Sequence, residues 1–201
     1  MGAGIVPVAF DYHSPLMSLP LALGLTAATI PADGPYLKAE PDRVARWAAR
    51  IGEKGFKIGI SWQGARGNVT SRAMALRCFE GLSRVAGVRL ISLQKGFGAE
   101  QLAALPQVES LGAEFDQGPD AFLDSAAAMQ SLDLVITLDS ALAHLAGALE
   151  RPVWALKQVP DWRWFLGRSD SPWYPGMTLF RQASDGDWAT VFAEMEAQVP
   201  R

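Results

Sequence analysis

Two histidines, His13 and His144, and a single cysteine, Cys78, are all that this 201-residue sequence holds of those two side chains. One cysteine excludes an internal disulfide and any cysteine metal cluster, and it fits a reducing compartment, with the cytoplasm as the expected location. Two distant histidines and no HExxH leave no zinc pattern, so no metal site is expected. Also missing are GxGxxG after a strand, GxxxxGK followed by Ser or Thr, and GxSxG. Their absence removes the dinucleotide fingerprint, the P-loop and the nucleophile elbow. No apolar run reaches the ~20 residues that span a bilayer, because Pro, Gly or charge interrupts each one. The opening MGAGIVPVAF has no positive segment of the kind that starts a signal peptide.

Excess charge of either sign is lacking too: 18 Lys and Arg stand against 21 Asp and Glu, a formal net charge of −3. Without a broad basic field, nucleic acid is not expected as a partner, and any anion must be bound locally. No internal repeat or low-complexity tract is present. What is abundant is apolar residues, 49% of the chain, enough to bury a sizeable core.

Residues 1–40 contain no complete folding unit. Pro31, Gly34, Pro35 and Pro41 punctuate the end of this stretch, which reads as an interdomain segment or the tail of a missing N-terminal domain. Residues 41–201 then alternate. A helix capped by Asp42 and running to about Ile51 precedes a strand at 56–62 that runs into Gln63, Gly64, Ala65, Arg66 and Gly67. A helix at 76–86 and a strand at 88–93 follow, the strand ending in Gln94, Lys95 and Gly96. A short helix at 99–105, a weak strand near 108–111 and a helix begun by Asp120, with Phe122, Leu123, Ala126, Ala127 and Met129 inward, come next. A buried strand at Leu134, Val135 and Ile136 then stops at Asp139 and Ser140, and a small-residue helix carries His144 before Pro152 opens another apolar run. Residues 159–175 crowd Trp162, Trp164, Phe165, Trp173 and Tyr174 among charges, and a strand at 177–180 and a helix at 187–199 close the chain. Strands alternating with such helices predict an α/β fold, a Rossmann-like parallel sheet with helices on both faces.

In open parallel sheets ligands lie beyond the carboxyl ends of the strands, and a helix that begins there offers backbone N–H groups to anions. Ser140 and Ala141 occupy that position, with His144 one turn on and facing the same side. A pyrophosphate fits such a cradle, and Arg66 and Lys95 on neighbouring strand ends supply the positive charge a diphosphate leaving group requires. Plainer readings stand beside these: Ser140 as a helix cap, His144 as a satisfied core or surface side chain, Arg66, Arg72 and Lys95 as solvated loop charge, Trp162 and Trp173 as packing. Glu114 or Asp116 offers a carboxylate for ribose hydroxyls, and His13 either faces the cleft or stands beside a helix cap at Ser14.

Several stretches carry a family resemblance: YHSPLMSLPLALG with IPADGPYL, KIGISWQG, LISLQKG, and LDLVITLDSALAHLAGALERPVWAL continuing to DWRWFLGRSDSPWYPGMTLFRQ. In these the chain resembles bacterial tetratricopeptide-repeat proteins that end in a glycosyltransferase domain related to family 9, the heptosyltransferases of the GT-B superfamily. The resemblance implies the C-terminal, nucleotide-sugar-binding half of such an enzyme, metal-independent and without a cofactor. A missing N-terminal half, or helical repeats, would bring the acceptor and the catalytic base. By motif, Ser140, Ala141 and His144 would contact the donor diphosphate, Asp139 would shape that turn, and Gln63, Arg66 and Lys95 would line the cleft, with Arg72 and Asn68 in the loop after the first strand. Two alternatives remain open: an inactive GT-B-like interaction module, and a nucleotide-sugar epimerase-like protein.

Overall fold

Six parallel strands form one sheet in the computed structural model, which describes residues 9–64, 74–120, 122–157 and 161–200. The strands are β1 (Phe56–Ser61), β2 (Val88–Ser92), β3 (Val108–Ser110), β4 (Leu134–Leu138), β5 (Val153–Lys157) and β6 (Met177–Arg181). Their spatial order is β3-β2-β1-β4-β5-β6. The chain builds outward from β1 to β3, then crosses back and builds from β4 to β6 on the other side. The direction of winding therefore reverses between β1 and β4, whose registers join Ile58 to Leu134 and Ser61 to Thr137.

Side-chain alternation along each strand feeds two cores, one per face. Ile58, Ile60, Leu90, Leu134, Ile136, Leu138, Leu156 and Phe180 point to one face. There they meet Phe79 and Leu82, from the 3-10 turn Leu76–Phe79 and the short helix α3 (Glu80–Ser83), and Val191, Phe192 and Met195 from α6 (Trp188–Gln198). Ile91, Leu93, Val135, Val153, Ala155, Met177 and Leu179 point to the other. These pack beneath α2 (Pro41–Ile51), α4 (Leu123–Met129) and α5 (Ala141–Ala148). Gly59 belongs to this second face, where a Cβ would stand 2.4 Å from Leu132 Cδ1 and 2.9 Å from Leu93 Cδ1; only glycine leaves these two side chains room over the central strand.

Several element boundaries differ from the sequence reading. The cap of α2 lies two residues earlier than expected, at Glu40, with Pro41 in the first turn, so Asp42 lies inside the helix, where its charge complements the N-terminal dipole. The helix expected at 76–86 is instead a 3-10 turn and one turn of α-helix, and 99–104 is entirely 3-10. α4 starts after Phe122, which has φ +70° and is exposed; the inward residues of its first turn are Asp124 and Ser125. Ser14 caps no helix, its hydroxyl donating to the Pro15 carbonyl. Before α2 the chain carries a 3-10 turn at Leu16–Ser18 and the short helix α1 (Leu19–Ala22). Among the described residues no helix is long and apolar enough to cross a membrane.

Candidate active site at the carboxyl edge of the sheet

In open parallel sheets the ligand-binding position is where winding reverses, beyond the carboxyl ends of the two central strands, and here that point falls between the ends of β1 and β4. On one side of it is the start of α5. Ser140 holds an extended conformation, φ −141° and ψ 173°, and its Oγ accepts from the Leu142 N–H at 3.3 Å, a helix N-cap. The same hydroxyl lies 3.2 Å from Thr137 Oγ1 at the end of β4, so strand and cap are tied together. Ala141, exposed, is the first helical residue, whose N–H has no intrahelical acceptor by construction of the helix. The Asp139 N–H donates to the Leu156 carbonyl at 3.3 Å, carrying β5 pairing one residue past β4. The cap reading of Ser140 thus holds, and a cap of this kind leaves the positive end of the α5 dipole at the carboxyl end of β4.

The end of β1, on the other side of that point, is organised by Gln94, a residue the sequence reading passed over. Its Oε1 accepts from Ser61 Oγ, the Trp62 N–H and the Gln63 N–H, each at 3.0 Å. Its Nε2 donates to the carbonyls of Gln63 at 3.1 Å and Phe97 at 2.9 Å. One side chain therefore fastens the loop after β1 to the loop after β2. Gln63 faces inward to this junction: its Nε2 donates to the Met74 carbonyl at 3.2 Å, and its Cγ occupies the space over Gly98 where a Cβ would stand 2.5 Å away. Trp62 is fully buried and its indole donates to the Gly98 carbonyl at 3.2 Å. Lys95, on the next strand end out, donates its Nζ to the Phe115 carbonyl and braces the 112–118 turn. Arg66 and Arg72 lie outside the described residues, as does Asn68.

His144 sits one turn into α5 among aromatics. Its ring stacks on Trp164 with centroids 5.1 Å apart and planes 20° from parallel, and its Nδ1 is 3.1 Å from the Tyr174 hydroxyl. Burial, and then the neighbouring Tyr36 hydroxyl at 3.2 Å, push the Tyr174 phenol well above its ordinary pKa, so it stays protonated. The aromatic segment after β5 is shaped from two sides. Asp161 caps the 3-10 turn Trp162–Trp164 and pairs with Arg163, and the Arg181 guanidinium donates to the carbonyls of Trp164, Phe165 and Arg168. Trp164 is buried, Trp173 donates its indole N–H to the Arg163 carbonyl at 2.6 Å, and Trp162 stays 59% exposed. With Pro20, Leu25 and Ile30 of the N-terminal segment, Trp162, Phe165 and Trp173 line an apolar groove of about 740 Å³.

The loop carboxylates have structural work. Asp116, at φ +47°, accepts from the N–H groups of Asp124 and Ser125 and from the Ser125 hydroxyl, so it caps α4 in place of Asp120. Glu114 pairs with Arg50 at 2.8 Å. Asp124, 4% exposed, accepts from Trp47 Nε1 and Arg43 Nη1 at 2.9 Å, from Arg46 Nη2, and from the Asp116 N–H. Burial pushes this carboxyl upward, but the Trp47, Arg43 and Asp116 donors outweigh it and hold the pKa below the ordinary value. His13 lies in the exposed N-terminal segment, 6.0 Å ring to ring from Phe10. Among the described residues no three of His, Cys, Asp and Glu gather in a way that could hold a metal ion.

Comparison with known proteins bears on this edge of the molecule. Residues 118–158, spanning α4, β4, α5 and β5, match glycosyltransferase family 9 (heptosyltransferase). Over 190 residues the chain is 34% identical to Protein FlbA of Caulobacter vibrioides, covering 89% of this chain and 31% of that protein. The structure is similar to E. coli ADP-heptose LPS heptosyltransferase II, with TM-score 0.59, 19% identity, and 80% of this chain against 52% of that one covered. It is also similar to a family 9 glycosyl transferase from Veillonella parvula, with TM-score 0.57, 17% identity and 92% against 51% covered. A third likeness is to E. coli heptosyltransferase WaaC with ADP, with TM-score 0.53, 15% identity and 90% against 54% covered. The chain therefore spans about a third of FlbA and about half of each of these heptosyltransferases. It carries the α/β Rossmann-like fold of the GT-B heptosyltransferases, and its segment from α4 to β5 has the sequence pattern of glycosyltransferase family 9.

Proposed function

We propose that this chain is the nucleotide-sugar-binding half of a glycosyltransferase, holding the donor diphosphate in the crevice between the ends of β1 and β4. The observation that carries the proposal is the placement of the Ser140-capped start of α5 at the one point where winding of the β3-β2-β1-β4-β5-β6 sheet reverses. Ligands of open α/β sheets bind at such a point, and oriented amides with a helix dipole stabilise a phosphate there. The presence of ADP in the WaaC structure supports a nucleoside diphosphate as the ligand.

In this reading, transfer breaks the bond between the sugar and the diphosphate, and negative charge develops on the departing phosphate oxygen. The Ala141 amide, the Ser140 hydroxyl, the α5 dipole, His144 and Arg66 answer that charge, so no divalent metal is required. Lys95 contributes field from the next strand end, while Asp139, Gln63 and Arg72 support the two loops. The acceptor and the base that activates it come from a second half, and the chain alone binds donor without transferring it. A cytoplasmic setting, where nucleotide sugars are made, belongs to the same proposal. Calorimetry with ADP, UDP and GDP, with and without EDTA, tests it: at least one nucleotide binds, unaffected by chelation, and binding to none, or only with added Mg²⁺, refutes it.

A further inference from the structure

Three glutamines tie the loops at the carboxyl edge of the sheet, and backbone partners fix which way each amide points. Gln94 accepts at Oε1 from the Trp62 and Gln63 N–H groups, both at 3.0 Å, and donates from Nε2 to the Gln63 and Phe97 carbonyls at 3.1 and 2.9 Å. An amide turned the other way would set donor against donor and acceptor against acceptor. Both backbone groups of Gln63 are therefore held by one side chain. Gln63 in turn donates from Nε2 to the Met74 carbonyl at 3.2 Å, and Gln101 accepts from the Leu76 N–H at 2.8 Å. Gly98, buried at φ +92°, lies against the Gln63 side chain, takes the Trp62 indole N–H on its carbonyl and gives its own N–H to Glu100 Oε2. Gly64, next along from Gln63, is exposed, and a Cβ there would meet nothing within 4 Å.

From this arrangement we propose that Gln94 is a positioning residue for the donor diphosphate: it joins the loops after β1 and β2 into one unit and, through Gln63, sets the Gly64 backbone at the end of β1. The loop after β2 thereby acts on the donor without having to contact it. Glutamine suits the task because it accepts and donates at once without charge, whereas a carboxylate would face two carbonyls with no proton to give. A loop end ordered in advance spares that ordering cost when ligand binds. The inference rests on the donor-site reading for its purpose, but the joining of the loops is a property of the chain without ligand.

Hydrogen exchange of the 201-residue chain at pH 8, together with ADP calorimetry, tests the proposal. In Gln94→Glu the ionised carboxylate keeps the acceptor for Trp62 and Gln63 and loses the bond to Phe97, so those two amides stay protected while the Gly98 amide exchanges about fivefold faster. Gln94→Met, similar in shape and uncharged, releases all three amides and weakens ADP binding about fivefold, the worth of one ordinary hydrogen bond. Gln94→Asn, a neutral amide too short to span both loops, carries the same test if Gln94→Met does not fold. Asp124→Asn, which loosens α2 from α4, serves as the destabilised control and leaves ADP affinity as in the wild type. Unchanged exchange at Gly98 overturns the joining of the loops. ADP affinity unchanged without Gln94, or weakened equally by Asp124→Asn, overturns the positioning role. A wild type that binds no nucleotide refutes the donor site and the positioning role with it, while the exchange result still decides whether Gln94 joins the loops.

Discussion

Replacing Asp124 by Asn should destabilise the chain by about 2–4 kcal/mol, more than any surface change. The carboxylate is 4% exposed and meets four donors: Trp47 Nε1, Arg43 Nη1, Arg46 Nη2 and the Asp116 N–H. Together they fasten α2 to the first turn of α4. Hydrogen bonds to a charged acceptor are worth about 1.5–3 kcal/mol each, and breaking a buried pair by removing one partner costs about 3–5 kcal/mol. Asparagine keeps one oxygen, so the lower part of that range applies. Its NH₂ would face the Asp116 N–H, donor against donor. For a chain of this size each kcal/mol lowers the melting temperature by about 2–4 °C, giving a fall of roughly 4–16 °C. Urea unfolding followed by tryptophan fluorescence measures the free energy, and the pH dependence adds a second signature. The folded carboxyl titrates below its unfolded value, so the unfolded chain binds more protons in between. Stability from Asp124 is complete above the unfolded carboxylate pKa of about 3.9 and is lost as pH falls through the lower folded value. Asp124→Asn removes that portion of the acid dependence. A loss under about 0.5 kcal/mol, with an unchanged acid limb, would refute the assignment of Asp124 as the staple between α2 and α4.

Three further outcomes follow from the same packing. Gly147→Ala, favourable by about 1 kcal/mol on helix propensity alone, should instead destabilise by about 1–3 kcal/mol because the new methyl meets the Tyr174 ring at 2.4 Å; a raised melting temperature would contradict this. Gln94→Ala leaves Ser61 Oγ and the Trp62 and Gln63 amides without their shared acceptor and should cost about 1–3 kcal/mol, with faster hydrogen exchange at those two amides as the direct readout. Ser140→Ala removes the α5 cap and should cost about 1 kcal/mol in thermal unfolding, while Ser140→Gly costs only a few tenths.

Much of the fold could be read from the sequence because parallel strands are buried on both faces and show as apolar runs. Phe56 to Ser61, Val88 to Ser92 and Leu134 to Leu138 all declared themselves that way. The short crossovers were harder: Leu76–Ser83 and Ala99–Ala104 have helical apolar spacing but too few residues to propagate an α-helix. The α4 cap was misplaced because Asp116 reaches Ser125 across a left-handed turn at Phe122, which no local pattern announces. At the site, Ser140 was legible as a cap from the strand-to-helix junction, whereas Gln94 and Tyr174 act through partners 31 to 33 and 30 residues away. A lone glutamine in a loop carries no periodic signal, whereas Lys95 beside it drew notice for its charge, and its Nζ donates to the Phe115 carbonyl.

Amide spectra of the chain titrated with ADP, UDP and GDP test the central claim most directly, since they report where a nucleotide binds as well as whether it does. The account predicts that the largest shifts fall on Ser140, Ala141 and Leu142 at the start of α5, with smaller ones on Gln63 and Gly64 across the crevice. Shifts confined to α6 and the opposite face, or none with any of the three, would contradict it.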